Sequence, residues 1–550
     1  MKRKLLSAAV SALALGGFAQ SAQATSYDLY LAGSSAQDNL IMNEVANLCV
    51  SGTLTYYVDD NYGSSTASTW GNNYKAYACT INSAVVTNLN SGDFVTFHKV
   101  NFGGSATGVA PLFTNTAVNT LNINNGNCYQ LTTGYTSKVG NTTPGVQTYA
   151  CRTTVSNDLT AQYLDAGVSD VNPTLFQGVN QTTAYNQTGG VVTAYAGVTS
   201  IPSGFTVVPA NSLVWAVPVS LNLYTALQAA QGLLSSSLSS YGTGSCAAGQ
   251  YSIDPTNARD GACLPSLNKS QLSSIISGAI SDWSVFNFNG VNLVTAANDY
   301  NSHVASSASI TPSLGTTVYF CQRTPGSGTA AGQYAYFLNQ PANSGDVVQP
   351  ANNLGNDFVF SIADGGNMES CLVDFATGSA SSKDYTNTPV NTVASPVNTA
   401  WAIGQQSSDK NASATKAYRF VKINGFAPTL ANAFSGAYDF TSESTWQYAT
   451  TAASGRTQQQ AIVKQLIKNI TNPTTVYTDL NQYTVQQYGA AGFLGTVKNA
   501  VALNSSYTVP SAVSLTYPVN PWTHTNLSKV LDNGMFQILD GLSPTTVVAP

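Results

Sequence analysis

Short apolar runs alternate along this chain with segments whose apolar residues recur every three or four positions. Tyr27 to Leu31 predicts a strand ending at Ala32-Gly33-Ser34-Ser35. From Ala36 to Cys49 the apolar residues Leu40, Ile41, Val45, Ala46 and Cys49 fall at helical spacing. Val95 to Phe102 predicts a further strand, ending at Gly103-Gly104-Ser105. The run from Val207 to Val219 is apolar enough for a strand buried on both faces. Leu267 to Ile276 predicts an amphipathic helix in which Leu272, Ile275 and Ile276 share one face, with Gly278 placed to cap its C-terminus. Val318 to Cys321 predicts a strand, followed by a glycine-rich turn and a helix from Ala330 to Leu338 that Pro341 would stop. Gln458 to Ile470 predicts another helix, with Ile462, Leu466 and Ile470 stacked. Strand, small-residue loop and helix repeated in this way predict an α/β architecture. The Asn-, Ser- and Thr-rich stretches 51–75, 113–150, 236–262 and 340–400 read as surface loops.

Composition narrows the function classes. Charged residues make up 8% of the 550 positions, against about 25% in an ordinary soluble domain. Hydrophobic residues are at 43%, so Ser, Thr, Asn, Gln, Gly and Tyr stand where charge is missing. A net charge of -5 argues against a nucleic-acid binder. The apolar and aromatic content argues against a disordered chain. His98, His303 and His524 are far apart, and no HExxH or Gly-x-Ser-x-Gly motif occurs, so neither a metal site, a cofactor nor a secreted hydrolase is expected. The length suffices for two domains with full cores.

The first residues indicate export. Met1-Lys2-Arg3-Lys4 is a basic start, Leu5 to Phe18 a short apolar stretch, and Ala22-Gln23-Ala24 a small-x-small cleavage site. Residues 1–24 are therefore read as a secretory signal peptide, with cleavage before Thr25. No cysteine stands directly after that site, so a lipid anchor is not expected, and no later apolar run predicts membrane insertion. The expected location is periplasmic or extracellular. Cysteine usage agrees, because an even count in an exported chain favours disulfides. Sequential pairing is expected: Cys49 with Cys79, Cys128 with Cys151, Cys246 with Cys263, and Cys321 with Cys371, each pair enclosing a polar loop.

Four loops offer hydroxyls and backbone amides just after a predicted strand, where the start of a helix favours an anion. They are Gly33-Ser34-Ser35, Gly104 to Gly108, Val168-Ser169-Asp170, and Arg323 to Thr329. Of these, only the last carries a fixed positive charge, and an arginine fork suits a tetrahedral oxyanion.

In this order the loops resemble those of the periplasmic phosphate-binding proteins of ABC importers, in the type II solute-binding superfamily. Leu31 to Ala36 resembles the first phosphate loop, Val100 to Val109 the second, and Asp165 to Pro173 the third. Ile276-Ser-Gly-Ala-Ile-Ser-Asp-Trp283 resembles the family's helix and turn, Cys321 to Thr329 its arginine loop, and Ala402-Ile-Gly404 with Tyr418 to Pro428 its return segment. The resemblance implies a two-lobed fold with the anion in the hinge cleft. One lobe would combine 25–213 with 401–550, and the other would span 214–400. The chain would cross near Val207–Val219 and return near Trp401–Gln405. It further implies that Ser34, Ser35 and Ser105 donate to the anion, that Arg323 pairs with its charge, that Ser327, Gly328 and Thr329 cradle it, and that Asp170 accepts its proton. Two positions depart from the family pattern. Ala36 stands where the family has Phe, and Pro325 where it has an acid, which leaves the arginine without that orienting partner. The implied partners are inorganic phosphate or a similar oxyanion and an ABC importer membrane complex. A different class of function, a structural or adhesive surface protein that reuses the fold, fits the low charge and large neutral polar surface.

Overall fold

In the computed structural model the described residues are 24–522, apart from 61–69, 125, 132–145, 154–155, 188–189, 252–260, 305–308, 342–349, 352–357, 385–388, 392–397, 411–414, 482–484 and 487–488. Past 522 they are 529–530 and 536–537 alone. The expected signal peptide lies outside the described residues except for Ala24.

Strand β1 (Ser26–Gly33) leads through the first small-residue loop into helix α1 (Asp38–Leu48), which buries Leu40, Ile41, Val45 and Leu48. Next come β2 (Thr55–Asp59), β3 (Tyr74–Thr80), β4 (Phe94–Val100), β5 (Cys128–Gln130), β6 (Gln147–Cys151) and β7 (Ala166–Ser169). Strand β8 (Phe205–Ser220) follows, then α2 (Leu221–Ala230), β9 (Ser266–Leu267) and α3 (Lys269–Ile276). Helix α3 opens with a reciprocal cap between Asn268 and Gln271 and ends at Ser277 with Gly278 at φ 76. Then come β10 (Tyr319–Arg323), α4 (Gly328–Leu338), β11 (Val359–Ile362), α5 (Gly365–Thr377), β12 (Ala402–Gly404), β13 (Gln406–Ser407) and β14 (Tyr418–Ile423). The chain closes with β15 (Thr441–Ala449), α6 (Thr457–Ile470), α7 (Pro473–Asp479), β16 (Phe493–Thr496), α8 (Val497–Leu503) and β17 (Val519–Asn520).

Pairing sorts these strands into two sheets that share β8. The first is mixed, in the order β5-β6-β2-β3-β4-β1-β7-β15-β8-β16-β17. The second runs β11-β10-β12-β8-β14-β9. Residues 205–214 of β8 pair with β15 and, over 211–213, with β16. Trp215 and Ala216 pair with β13, and 217–220 pair with β14. The apolar run of the sequence is therefore one strand handed from sheet to sheet. Strand β14, which the sequence reading puts in the first lobe, hydrogen-bonds within the second sheet, so that sheet reaches beyond residue 400 as far as Ile423.

Apolar burial holds the layers together. Helix α6 turns Ile462, Val463, Leu466 and Ile470 inward against α1 and β1. Each such side chain, fully buried, contributes roughly 1.5–3 kcal/mol relative to exposure. Helices α2 and α5 cover the second sheet. The disulfides are Cys49–Cys79, Cys128–Cys151, Cys246–Cys263 and Cys321–Cys371, the sequential set. Among the described residues no helix is long and apolar enough to cross a membrane.

Candidate functional site

A cavity of about 820 Å³ lies where the loops from both sheets meet. Ser34, Ser35, Ser105, Asp170, Arg323, Ser327, Gly328 and Thr329 all line it. Four separate chain segments are thus brought to one place.

The first loop is held by close backbone approach. Gly33 has φ 118, and a Cβ there would fall 1.9 Å from the Val168 carbonyl oxygen. With no side chain in the way, the Ser34 amide donates to that same carbonyl at 3.0 Å. This draws Ser34 to Asp170, which follows β7. The Ser34 hydroxyl donates to one Asp170 oxygen and accepts from the Ala36 amide at 3.1 Å. The Ser105 hydroxyl donates to the other oxygen at 3.1 Å and accepts from the Asp170 amide at 3.3 Å. Burial raises the Asp170 pKa above the ordinary carboxylate value, although the two hydroxyls pull against it.

This modifies one expectation. The hydroxyl protons of Ser34 and Ser105 are directed at Asp170, so what these two oxygens offer a ligand is their lone pairs. Of the eight residues expected at the site, the side-chain donors left for an anion are the exposed Ser35, the Ser327 and Thr329 hydroxyls, and Arg323. The first amides of α4 join them, because a helix has no internal acceptor for its first turn. Ser327 caps α4, accepting from the Ala330 amide at 3.4 Å. Gly328 lies against the first sheet's loops: a Cβ there would fall 2.5 Å from Ser105 Oγ and 2.8 Å from Asp170 Oδ2. The Ala106 amide closes the join by donating to the Gly326 carbonyl at 3.0 Å.

Arg323, at the end of β10, is half-buried. Its Nε donates to the Ile362 carbonyl at 3.3 Å and its Nη2 to the Ala363 carbonyl at 3.1 Å. Its own amide donates to Gln405 Oε1 at 2.6 Å. Burial draws its pKa down, while Asp364 foremost, with Tyr185 and Asp170, opposes the shift. The arginine therefore has orienting partners despite Pro325, the carbonyls of Ile362 at the end of β11 and of Ala363 just after it; nearby Asp364, which caps α5 by accepting from the Gly366 and Asn367 amides, favours its charge.

Behind the first loop is a charged cluster that sequence reasoning does not single out. Lys75 and Asp38 form an ion pair, and Asn101 Nδ2 donates to Asp38 at 2.6 Å. Lys99 lies beneath them, fully buried, with Nζ 3.7 Å from Asp38. Burial would raise the Asp38 pKa, but the two lysines and the hydrogen bonds outweigh it and hold the carboxyl below its ordinary value. The available signal is the alternation in β4: Val95, Phe97 and Lys99 share one face, and a lysine continuing a buried apolar pair is unusual. Among the described residues no three His, Cys, Asp or Glu side chains gather as a metal site would require.

No known protein-family profile and no curated protein matches this chain. Several solved structures do. One is an ABC-type phosphate transport receptor from Vibrio cholerae, 10% identical, covering 80% of this chain and 93% of its own, with a TM-score of 0.31. A second is a phosphate ABC transporter substrate-binding protein with bound phosphate from Clostridium perfringens, 10% identical, covering 81% and 96%, with a TM-score of 0.33. A third is PstS from Borrelia burgdorferi, 10% identical, covering 82% and 97%, with a TM-score of 0.31. Values this low assign this chain neither a ligand nor a residue role.

Proposed function

We propose that this chain is an exported, non-catalytic binding protein that holds inorganic phosphate, or a similar oxyanion, in the cleft between its sheets for uptake through an ABC importer. One observation carries this reading: Ser34, Ser35, Ser105, Asp170, Arg323, Ser327, Gly328 and Thr329 line a single cavity. The chemistry suits the ligand. Arg323 supplies the counter-charge, while Ser35, Ser327, Thr329 and the first turn of α4 supply donors. Asp170 supplies an acceptor that only a protonated anion can use. The lobes would be 25–213 with most of 401–550, and 214–400 extended by β14. They would close on the anion about β8 and β13. Four disulfides fit an oxidising compartment.

Calorimetric titration of the purified protein with phosphate and with sulfate tests this reading. Phosphate is expected to bind at least tenfold (about 1.4 kcal/mol) more tightly than sulfate, since hydrogen phosphate can add a donor to Asp170, whose oxygens already accept from Ser34 and Ser105, whereas sulfate carries no proton and meets only the carboxylate's negative charge. Binding of neither anion would overturn the proposal and favour the structural or adhesive reading.

A further inference from the structure

Lys99 extends from β4 beneath the first loop and does not line the cavity. Its three N–H groups are shared among four acceptors, the carbonyls of Gly33 at 3.1 Å, Ser34 at 3.0 Å and Val100 at 3.2 Å, and Asn101 Oδ1 at 2.5 Å. The carbonyl of Ser34 belongs to the same peptide group as the amide of Ser35, and Ser35 lies exposed in the cavity. A cation on that oxygen polarises the peptide and makes the Ser35 N–H a stronger donor. The charged groups facing Lys99 are Asp38 from α1, Lys75 from β3, and Asp170 from the loop after β7. Asp38 is shared between two ammoniums, and Asp170 is already engaged by Ser34 and Ser105. Keeping a lysine charged inside a protein is unfavourable without a matching charge, and burial has pushed Lys99 down to about 8.

We propose that Lys99 is a positioning residue for the bound anion: it aims the Ser35 amide, and its charge offsets those of Asp38 and Asp170 so that the first sheet's wall of the cleft does not repel a dianionic ligand. This rests on the oxyanion reading of the cleft. A bound dianion would then favour the protonated lysine, so binding above pH 8 would draw protons from the buffer.

The test is phosphate calorimetry at pH 8.5 in two buffers of different ionisation enthalpy, on the unaltered protein and on Lys99→Met. The unaltered protein is expected to take up a fraction of a proton per phosphate bound. Lys99→Met is expected to bind at least tenfold more weakly and to take up none. A merely structural lysine would weaken binding without abolishing the uptake. Equal affinity, or equal uptake, in the two proteins overturns the inference while leaving phosphate binding intact. Should Lys99→Met fail to fold, Lys99→Gln and the uptake by the unaltered protein decide, and zero uptake there overturns it. A protein that binds no phosphate at all defeats both the cleft reading and this inference.

Discussion

Arg323 and Lys99 stand on the two sides of one cleft, each gripping backbone carbonyls near the end of a strand. Arg323, on the second sheet, holds Ile362 and Ala363 and stays half-open to the cavity. Lys99, on the first, holds Gly33 and Ser34 and is sealed from it. An arginine remains charged at any ordinary pH and can bond an anion through two parallel N–H groups. A sealed lysine touches no ligand, acts through its field and through one peptide group, and can lose its proton. On the proposed reading, the pair would serve one anion in two ways, by direct contact from one side and by polarisation of a peptide group from the other.

The comparison breaks most readily at Arg323. Arg323→Ala should cost phosphate binding about 3–5 kcal/mol, more than a hundredfold, because a buried anion loses its contacting counter-charge. Calorimetry reads this directly, and a loss under tenfold would mean that the two cations are not distinct in role. The next effect belongs to Lys99 and concerns stability. With a pKa of about 8 when folded, against an ordinary 10.5, this lysine binds fewer protons folded than unfolded between those values. Stability therefore rises with pH there. Measured against Lys99→Met by urea melts, the unaltered protein should gain about 3 kcal/mol between about pH 8 and 10.5. Arg323→Ala should show no such trend. A flat difference would place Lys99 in a wetter site than its burial indicates.

Two smaller effects sharpen the picture where the walls meet. Gly328→Ala would drive a methyl against Ser105 Oγ and Asp170 Oδ2. Overpacking of that kind costs about 1–3 kcal/mol, and it should appear as a lower melting temperature together with weaker phosphate binding, since Ser105 and Asp170 line the cavity. Asp170→Asn should narrow the preference for phosphate over sulfate by about tenfold, near 1.4 kcal/mol, because an amide can donate to sulfate. An unchanged preference in competition titrations would show that Asp170 serves only to anchor Ser34 and Ser105.

Much of the framework was legible in the residues. Periodicity located α1, α3 and α6 to within a few positions, because each buries an apolar stripe, while α4, buried on nearly every side, was bounded by the glycine-rich turn before it and Pro341 after it. The run at Val207–Val219 marked β8 because a strand covered on both sides has no polar alternation to hide it. The cavity's serines, Asp170 and Arg323 were visible because small-residue loops after strands are local signals. Lys99 and Asp364 were not, since each acquires its role from partners distant in sequence: Gly33 and Ser34 for the one, Arg323 for the other. For the same reason β14 was misplaced relative to the sheets. Its neighbours, β8 and β9, lie far back along the chain, and no local pattern announces a pairing of that kind.

Strand β8 has a consequence for how the molecule comes apart. Because its first half is a rung of one sheet and its last residues a rung of the other, melting either sheet strips hydrogen-bond partners from the strand that the other needs. Two lobes joined only by loose linkers would unfold in two calorimetric steps. Lobes threaded on a common strand should share a single cooperative transition, and anchoring one of them with a ligand should delay the loss of both.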